Sequence, residues 1–191
     1  MDTLEKIFGG VARVKLMRLF LFNPTLYYET SDVVDRSRVE INRARRELNF
    51  LSKVGLIKKS SRGGNTVVWY LNDKFPYLVE FQRLLLQTSL VHKQPIVKKI
   101  SKLGRIKLII FSGIFKELWD NTIDILVVAD GIKKSTADSV MSSIEAEMGK
   151  EIKYAILDSE DFKYRLGVGD RLIRDVLDYP HEVVVDKLGL F

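Results

Sequence analysis

Between Ile41 and Asn72 the spacing of apolar residues changes once, and glycines mark both the change and a reversal of the chain. In INRARRELNFLSK, Ile41, Ala44, Leu48 and Leu51 fall within one narrow sector at about 100° per residue, the buried stripe of an amphipathic helix. The opposite side carries Asn42, Arg43, Arg46, Asn49 and Lys53, with Arg45 on its flank. Gly55 stands just past the expected helix end, where a left-handed residue closes the last turn at no steric cost. From Leu56 onward the period becomes two. LIKKSSR and TVVWYLN alternate, and Gly63-Gly64-Asn65 between them tolerates the positive φ of a tight hairpin.

Upstream, Leu4 to Phe22 repeats Val11, Val14, Met17 and Leu21 at three- and four-residue steps, which predicts one or two helices ending at Asn23-Pro24. TLYYE reads as extended, and Thr30 or Ser31 can cap a short helix through Val34. Helix, short helix, long basic helix and basic-tipped hairpin, in that order, make a winged helix-turn-helix. In such a domain the third helix enters the major groove of double-stranded DNA and the wing reaches the backbone or minor groove. Asn42 and Arg43 are then expected at base edges, since Asn pairs with adenine and Arg with guanine. Arg45, Arg46, Lys53, Lys58, Lys59 and Arg62 suit phosphates, and Arg38, Asn49 and Asn65 complete the expected DNA-binding surface. Two-fold operators imply a homodimer.

Charge divides the chain in the same sense. Residues 1–75 hold 14 Lys+Arg against 8 Asp+Glu and residues 76–107 hold 7 against 1, whereas residues 108–191 hold 10 against 16. A basic front and an acidic back point to a polyanion partner for the front and to two domains with different tasks. There is no cysteine, which excludes disulfides and thiol chemistry, and the first residues are charged where a signal peptide would be apolar. The apolar runs LIIF and ILVV are far too short to cross a bilayer, so no membrane partner and a cytoplasmic location are expected.

The first half also resembles a family of prokaryotic winged-helix proteins with the opening LEKLFGS.xRVKLLRLFL.NP. Here the corresponding residues are LEKIFGGVARVKLMRLFLFNP from Leu4 to Pro24, then RRELNFLSKVGLIKK from Arg45 to Lys59, and Phe75-Pro76 after the wing. Tyr77 to Val91, with Leu78, Phe81, Leu84, Leu85 and Thr88 on one side, is another amphipathic helix, suited to dimerisation, to the core or to an interdomain strut. Val91 to Gly104 reads as a hinge. The expected organisation is a winged-helix DNA-binding domain over 1–92, a linker over 93–104 and a second domain over 105–191.

That second domain alternates strands and helices. IKLIIFSG and IDILVVAD suit buried strands, Thr136 to Met148 a helix, IKYAILD a third strand, Ser159 to Leu166 and Leu172 to Leu177 short helices, and EVVVD a last strand. Its first two strands resemble the nucleotidyltransferase superfamily of DNA polymerase β and the minimal nucleotidyltransferases. The resemblance implies a Gly-Ser turn cradling a triphosphate and an Asp-x-Asp or Asp-x-Glu pair holding two magnesium ions, with a third acid on a later strand. Here the turn is inverted, Ser112-Gly113, and Thr122 stands at the first acidic position with Asp124 at the second. A hydroxyl cannot bridge two divalent ions. The expected pocket is therefore vestigial, with no catalytic residues, no metal and no cofactor.

Glu147 to Val185 resembles the GREINYTVMSxEEFxxR tail of the same winged-helix family, whose members join a DNA-binding domain to a nucleotidyltransferase-like one. The expected fold is α+β with two domains: a winged helix-turn-helix, then a small α/β nucleotidyltransferase-like domain with a mixed sheet. The expected function is DNA-binding transcriptional regulation, with the second domain a pseudoenzyme that binds a nucleotide, another ligand or a protein. The alternatives are an active magnesium-dependent nucleotidyltransferase and an antitoxin-like partner-binding module.

Overall fold

A computed structural model of the chain describes residues 3–61, 66–91, 93–118 and 122–191, with the side chains of 89–91 not described. The protein is α+β and divides into two compact units, residues 1–89 with 142–151, and residues 90–141 with 152–191. Among the described residues no helix is long and apolar enough to cross a membrane.

In the first unit the opening stretch is broken by Gly9-Gly10, both at positive φ, into α1 (Thr3–Ile7) and α2 (Val11–Leu21). Strand β1 (Tyr27–Glu29) leads into α3 (Thr30–Ser37), and α4 (Ile41–Lys53) follows after a three-residue turn. Thr30 and Ser31 were the expected caps of α3, but the helix already begins at Thr30. Asp32 Oδ2 accepts the Glu29 N–H at 2.8 Å, and the Thr30 hydroxyl instead accepts the indole N–H of Trp69 at 3.2 Å. Strands β2 (Ile57–Ser61) and β3 (Val67–Leu71) form the expected hairpin in the register Ile57 opposite Leu71 to Ser61 opposite Val67. β1 joins on the far side of β3, giving an antiparallel sheet of order β1-β3-β2.

The core beneath these elements holds Val14, Leu16, Phe20, Val33, Ala44, Leu48, Leu51 and Leu85, each essentially excluded from water. At about 25 cal/mol per Å², burial of such side chains contributes roughly 1.5–3 kcal/mol each, which is why α2, α3 and α4 hold their mutual orientation. α5 (Leu78–Val91) packs through Phe81 and Leu85, with Phe8 and Phe75 in ring contact with Phe81 at 5.8 and 5.7 Å. Residues 142–151 also belong here: Asn23 Nδ2 donates to the Gly149 carbonyl at 2.8 Å and Arg18 to that of Glu147 at 3.0 Å.

In the second unit, residues 93–104 begin with a helix, α6 (Lys93–Ile100), that buries Ile96 and Ile100. The mixed four-stranded sheet has the order β6-β5-β4-β7, built from β4 (Arg105–Phe111), β5 (Ile125–Asp130), β6 (Tyr154–Leu157) and β7 (Glu182–Asp186). β4 runs antiparallel to both β5 and β7, whereas β5 and β6 are parallel. The parallel pair requires a crossover, supplied by α7 (Lys134–Met148), which Gly149 ends at φ +69°. α8 (Ser159–Gly167) and α9 (Arg171–Leu177) cover the sheet through Phe162, Ile173 and Val176. Gly167 to Asp170 is the turn between them, and Asp170 caps α9 by accepting the Leu172 N–H at 3.0 Å.

Candidate nucleic-acid interface and the Ser112-Gly113 turn

α4 begins sharply because its entry is fixed on both sides. Val39 is buried, Arg38 takes a left-handed conformation at φ 52°, and the Ser37 hydroxyl, itself buried, donates to Val33 O and accepts the Val39 N–H. Glu40 is the N-cap: its two carboxylate oxygens accept the Asn42 and Arg43 N–H groups at 2.8 and 2.9 Å. Those bonds, Asn42's first, hold its carboxyl below the ordinary value. The helix that follows divides cleanly. Ala44, Glu47, Leu48 and Leu51 are buried, and Asn42, Arg45, Arg46, Asn49 and Lys53 are exposed on the other side.

Two of the expected contacts lie differently. Arg43 is on the flank, its Nη2 bonded to Glu47 Oε1 at 2.7 Å and directed to the Gly9 carbonyl at 3.5 Å, while Arg45 is the one in the exposed row. Arg38 donates Nη2 to the Ser142 hydroxyl at 3.0 Å. On the hairpin, Lys59 is exposed and Lys58 faces Asp73 at 3.5 Å. Arg62 and Asn65 lie outside the described residues.

Glu47 is the residue the helical pattern alone did not single out. It stands in the buried sector among Ala44, Leu48 and Leu51, with only 3% of its side chain exposed, and its other oxygen meets Arg13 Nε at 2.7 Å. Arg13 in turn lies over the Phe50 ring at 3.7 Å. The signal in the sequence is an acid placed on the apolar stripe four residues after an arginine.

In the second unit, Ser112 and Gly113 sit where β4 gives way to a short 3₁₀ segment, Gly113–Lys116, and Ser112 is fully buried. β5 starts only at Ile125, so Thr122 and Asp124 precede the strand rather than alternating along it. The cause is the Lys153 carbonyl, which accepts both the Asp124 and the Ile125 N–H. Thr122 is exposed and directs its hydroxyl to Asp175 Oδ2 at 3.2 Å. Asp124 is buried, with Oδ1 accepting the Ile114 N–H at 2.8 Å and Oδ2 the Lys153 N–H at 2.9 Å. A Cβ at Gly113 would come within 2.1 Å of Asp124 Oδ1, so glycine there is required by the carboxylate as well as by φ +51°.

Four backbone donors of the turn are engaged within the fold. Ile114 N–H binds Asp124, Phe115 N–H binds Ser112 O, Glu117 N–H binds Ile114 O and Leu118 N–H binds Gly113 O. Among the described residues no group of three or more His, Asp or Glu side chains is placed to hold a metal. A separate cleft of about 530 Å³ opens at the carboxyl ends of the parallel strands β5 and β6, lined by Ile132, Lys134, Asp138, Tyr154, Ile156 and Asp158. Crevices at that end of parallel strands are where open α/β sheets bind ligands.

No protein-family model, no curated protein and no solved structure matches the chain.

Proposed function

We propose that the protein is a DNA-binding transcriptional regulator: a winged helix-turn-helix whose α4 reads the major groove, joined to a nucleotidyltransferase-like unit that has no transferase activity and binds a ligand or protein. The observation that carries the reading is the exposed row Asn42, Arg45, Arg46, Asn49 and Lys53 on a helix anchored from behind by Ala44, Leu48 and Leu51. A rigid helix that presents forked and amide side chains outward can hydrogen-bond to base edges, and its cations attract phosphates. The order of elements and the β1-β3-β2 sheet support the winged-helix assignment, with the hairpin carrying Lys58 and Lys59 towards the backbone.

Inactivity of the second unit is supported by the commitment of Asp124 to two backbone N–H groups and by the exposed threonine at position 122. The cleft at the ends of β5 and β6 supports a ligand-binding role.

The test is selection of bound sequences from random duplexes, followed by titration of the selected duplex against salt. Enrichment of a defined motif, retention against competitor DNA and a linear fall of log K with log salt are expected. Binding insensitive to both sequence and ionic strength would overturn the reading.

A further inference from the structure

The cleft at the carboxyl ends of β5 and β6 follows from where small and large side chains fall. Ala129, Gly131 and Ala137 leave space between sheet and helix, and about 530 Å³ stays open, within the range of small-molecule sites. Tyr154, Ile156 and Asp158 alternate along β6 and the extended residue just beyond it, so they share one face. Lys134 and Asp138 stand one turn apart on α7 and share another. The apolar floor is made by Ile132, Ile156 and Leu157, each half-buried.

Three exposed charged side chains line this cleft: Lys134, Asp138 and Asp158. None of them is neutralised by a described neighbour. Among the described residues Lys134 has no ionic partner, the Asp138 side chain accepts only the Tyr154 hydroxyl at 3.4 Å, and that of Asp158 only the Asp161 N–H at 2.7 Å. A nucleoside phosphate would set its anionic oxygens against two carboxylates with one ammonium to offset them. An apolar ligand would take water from all three charges and pair with none. The complement of two anions and one cation around an apolar floor is a molecule with two cations and one anion on an aliphatic stem.

We propose that the cleft binds a free basic α-amino acid of the lysine, ornithine or arginine type. The α-carboxylate pairs with Lys134 and the α-ammonium with Asp138, neighbours on α7 as the two α-groups are neighbours on one carbon. The aliphatic stem crosses Ile132 and Ile156, and the distal cation reaches Asp158 beyond the end of β6. The proposal rests on the reading of this cleft as a ligand site and gives that site its chemical class. It uses neither α4 nor the hairpin.

Isothermal titration calorimetry on the full-length chain, without DNA and at low salt, tests it with L-lysine, L-ornithine and L-arginine. At least one of the three is expected to bind with a Kd below about 1 mM. L-leucine, which has no distal cation, and cadaverine, which has no carboxylate, bind about tenfold or more weakly, as does Nα-acetyl-L-lysine methylamide, which presents lysine as a peptide would. Lys134→Met and Asp158→Asn, the second keeping an acceptor for the Asp161 N–H, each weaken the basic amino acid about tenfold or more, with circular dichroism confirming that both variants are folded. No binding by any of the three amino acids, or binding undiminished in either variant, would overturn the proposal. Equal binding of L-leucine would overturn the basic class while keeping the cleft a ligand site, and equal binding of the methylamide would overturn the free amino acid in favour of a peptide. None of these outcomes bears on DNA binding, which the selection from random duplexes measures separately.

Discussion

The Nε of Arg13 lies 2.7 Å from Oε2 of Glu47, a carboxylate that water hardly reaches although the far side of the same helix is open and cationic. Arg13 comes from α2 and Glu47 from α4, so the pair crosses between the helix that anchors the first unit and the one that carries the exposed row. With Arg43 on its other oxygen, Glu47 is satisfied on both sides. Replacing it by Ala strands two guanidinium groups. The arginines are partly exposed, so the expected loss is about 2 kcal/mol, below the 3–5 kcal/mol of a fully buried pair. Urea unfolding of Glu47→Ala should show it, and an unchanged midpoint would refute it.

Arg45 and Arg46 point the other way. Arg45→Ala and Arg46→Ala should leave stability within about 0.5 kcal/mol while weakening binding to the selected duplex. Lys53→Ala is expected to lower affinity similarly for all sequences and to reduce the salt slope by about one, whereas Asn42→Ala relaxes preference at one position. Fluorescence anisotropy at several salt concentrations separates these outcomes.

The helix–hairpin plan was legible because buried stripes and turn glycines are written locally: Ala44, Leu48 and Leu51 mark the inner side of α4, and Gly55 falls just beyond its end. The roles of Arg43 and Arg45 were not. They differ by two residues on one helix, and which of them faces outward depends on Glu47 being turned inward to meet Arg13, a residue 34 positions away. Asp124 was legible as an acid in an apolar setting, but its partners are the backbone N–H groups of Ile114 and Lys153, whose proximity only the folded sheet creates.

The contact between Gly113 and Asp124 gives a coupled pair. Gly113→Ala should cost about 3 kcal/mol or more through the clash and positive φ, and Asp124→Ala about 2 kcal/mol through two unsatisfied buried N–H groups. The double variant should cost less than the sum by about 1 kcal/mol or more, because removing the carboxylate removes the nearest obstacle to the new methyl group. Strict additivity in a double-mutant cycle would show that the clash is not what Gly113 avoids.

Acid should loosen the second unit through Glu182. Its carboxyl is held below the ordinary value first by the hydrogen bond from Lys93 and then, against some burial, by that from Lys116. A lowered folded value means the contribution is whole above the ordinary carboxylate range and is lost as pH falls through the lowered value. The group is well exposed, so solvent screening keeps this contribution under about 1 kcal/mol. Glu182→Gln should therefore flatten part of the acid limb of stability against pH: it costs stability above pH 4.5 and changes little only well below that, once wild type has lost the same charge.

α4 keeps its folding duties and its outward lettering on separate sides, with the single inward acid bound to α2 rather than to any of the five exposed residues. The outer row can thus be rewritten while the scaffold behind it stays as it is, and a library confined to positions 42, 45, 46, 49 and 53 should yield mostly folded proteins.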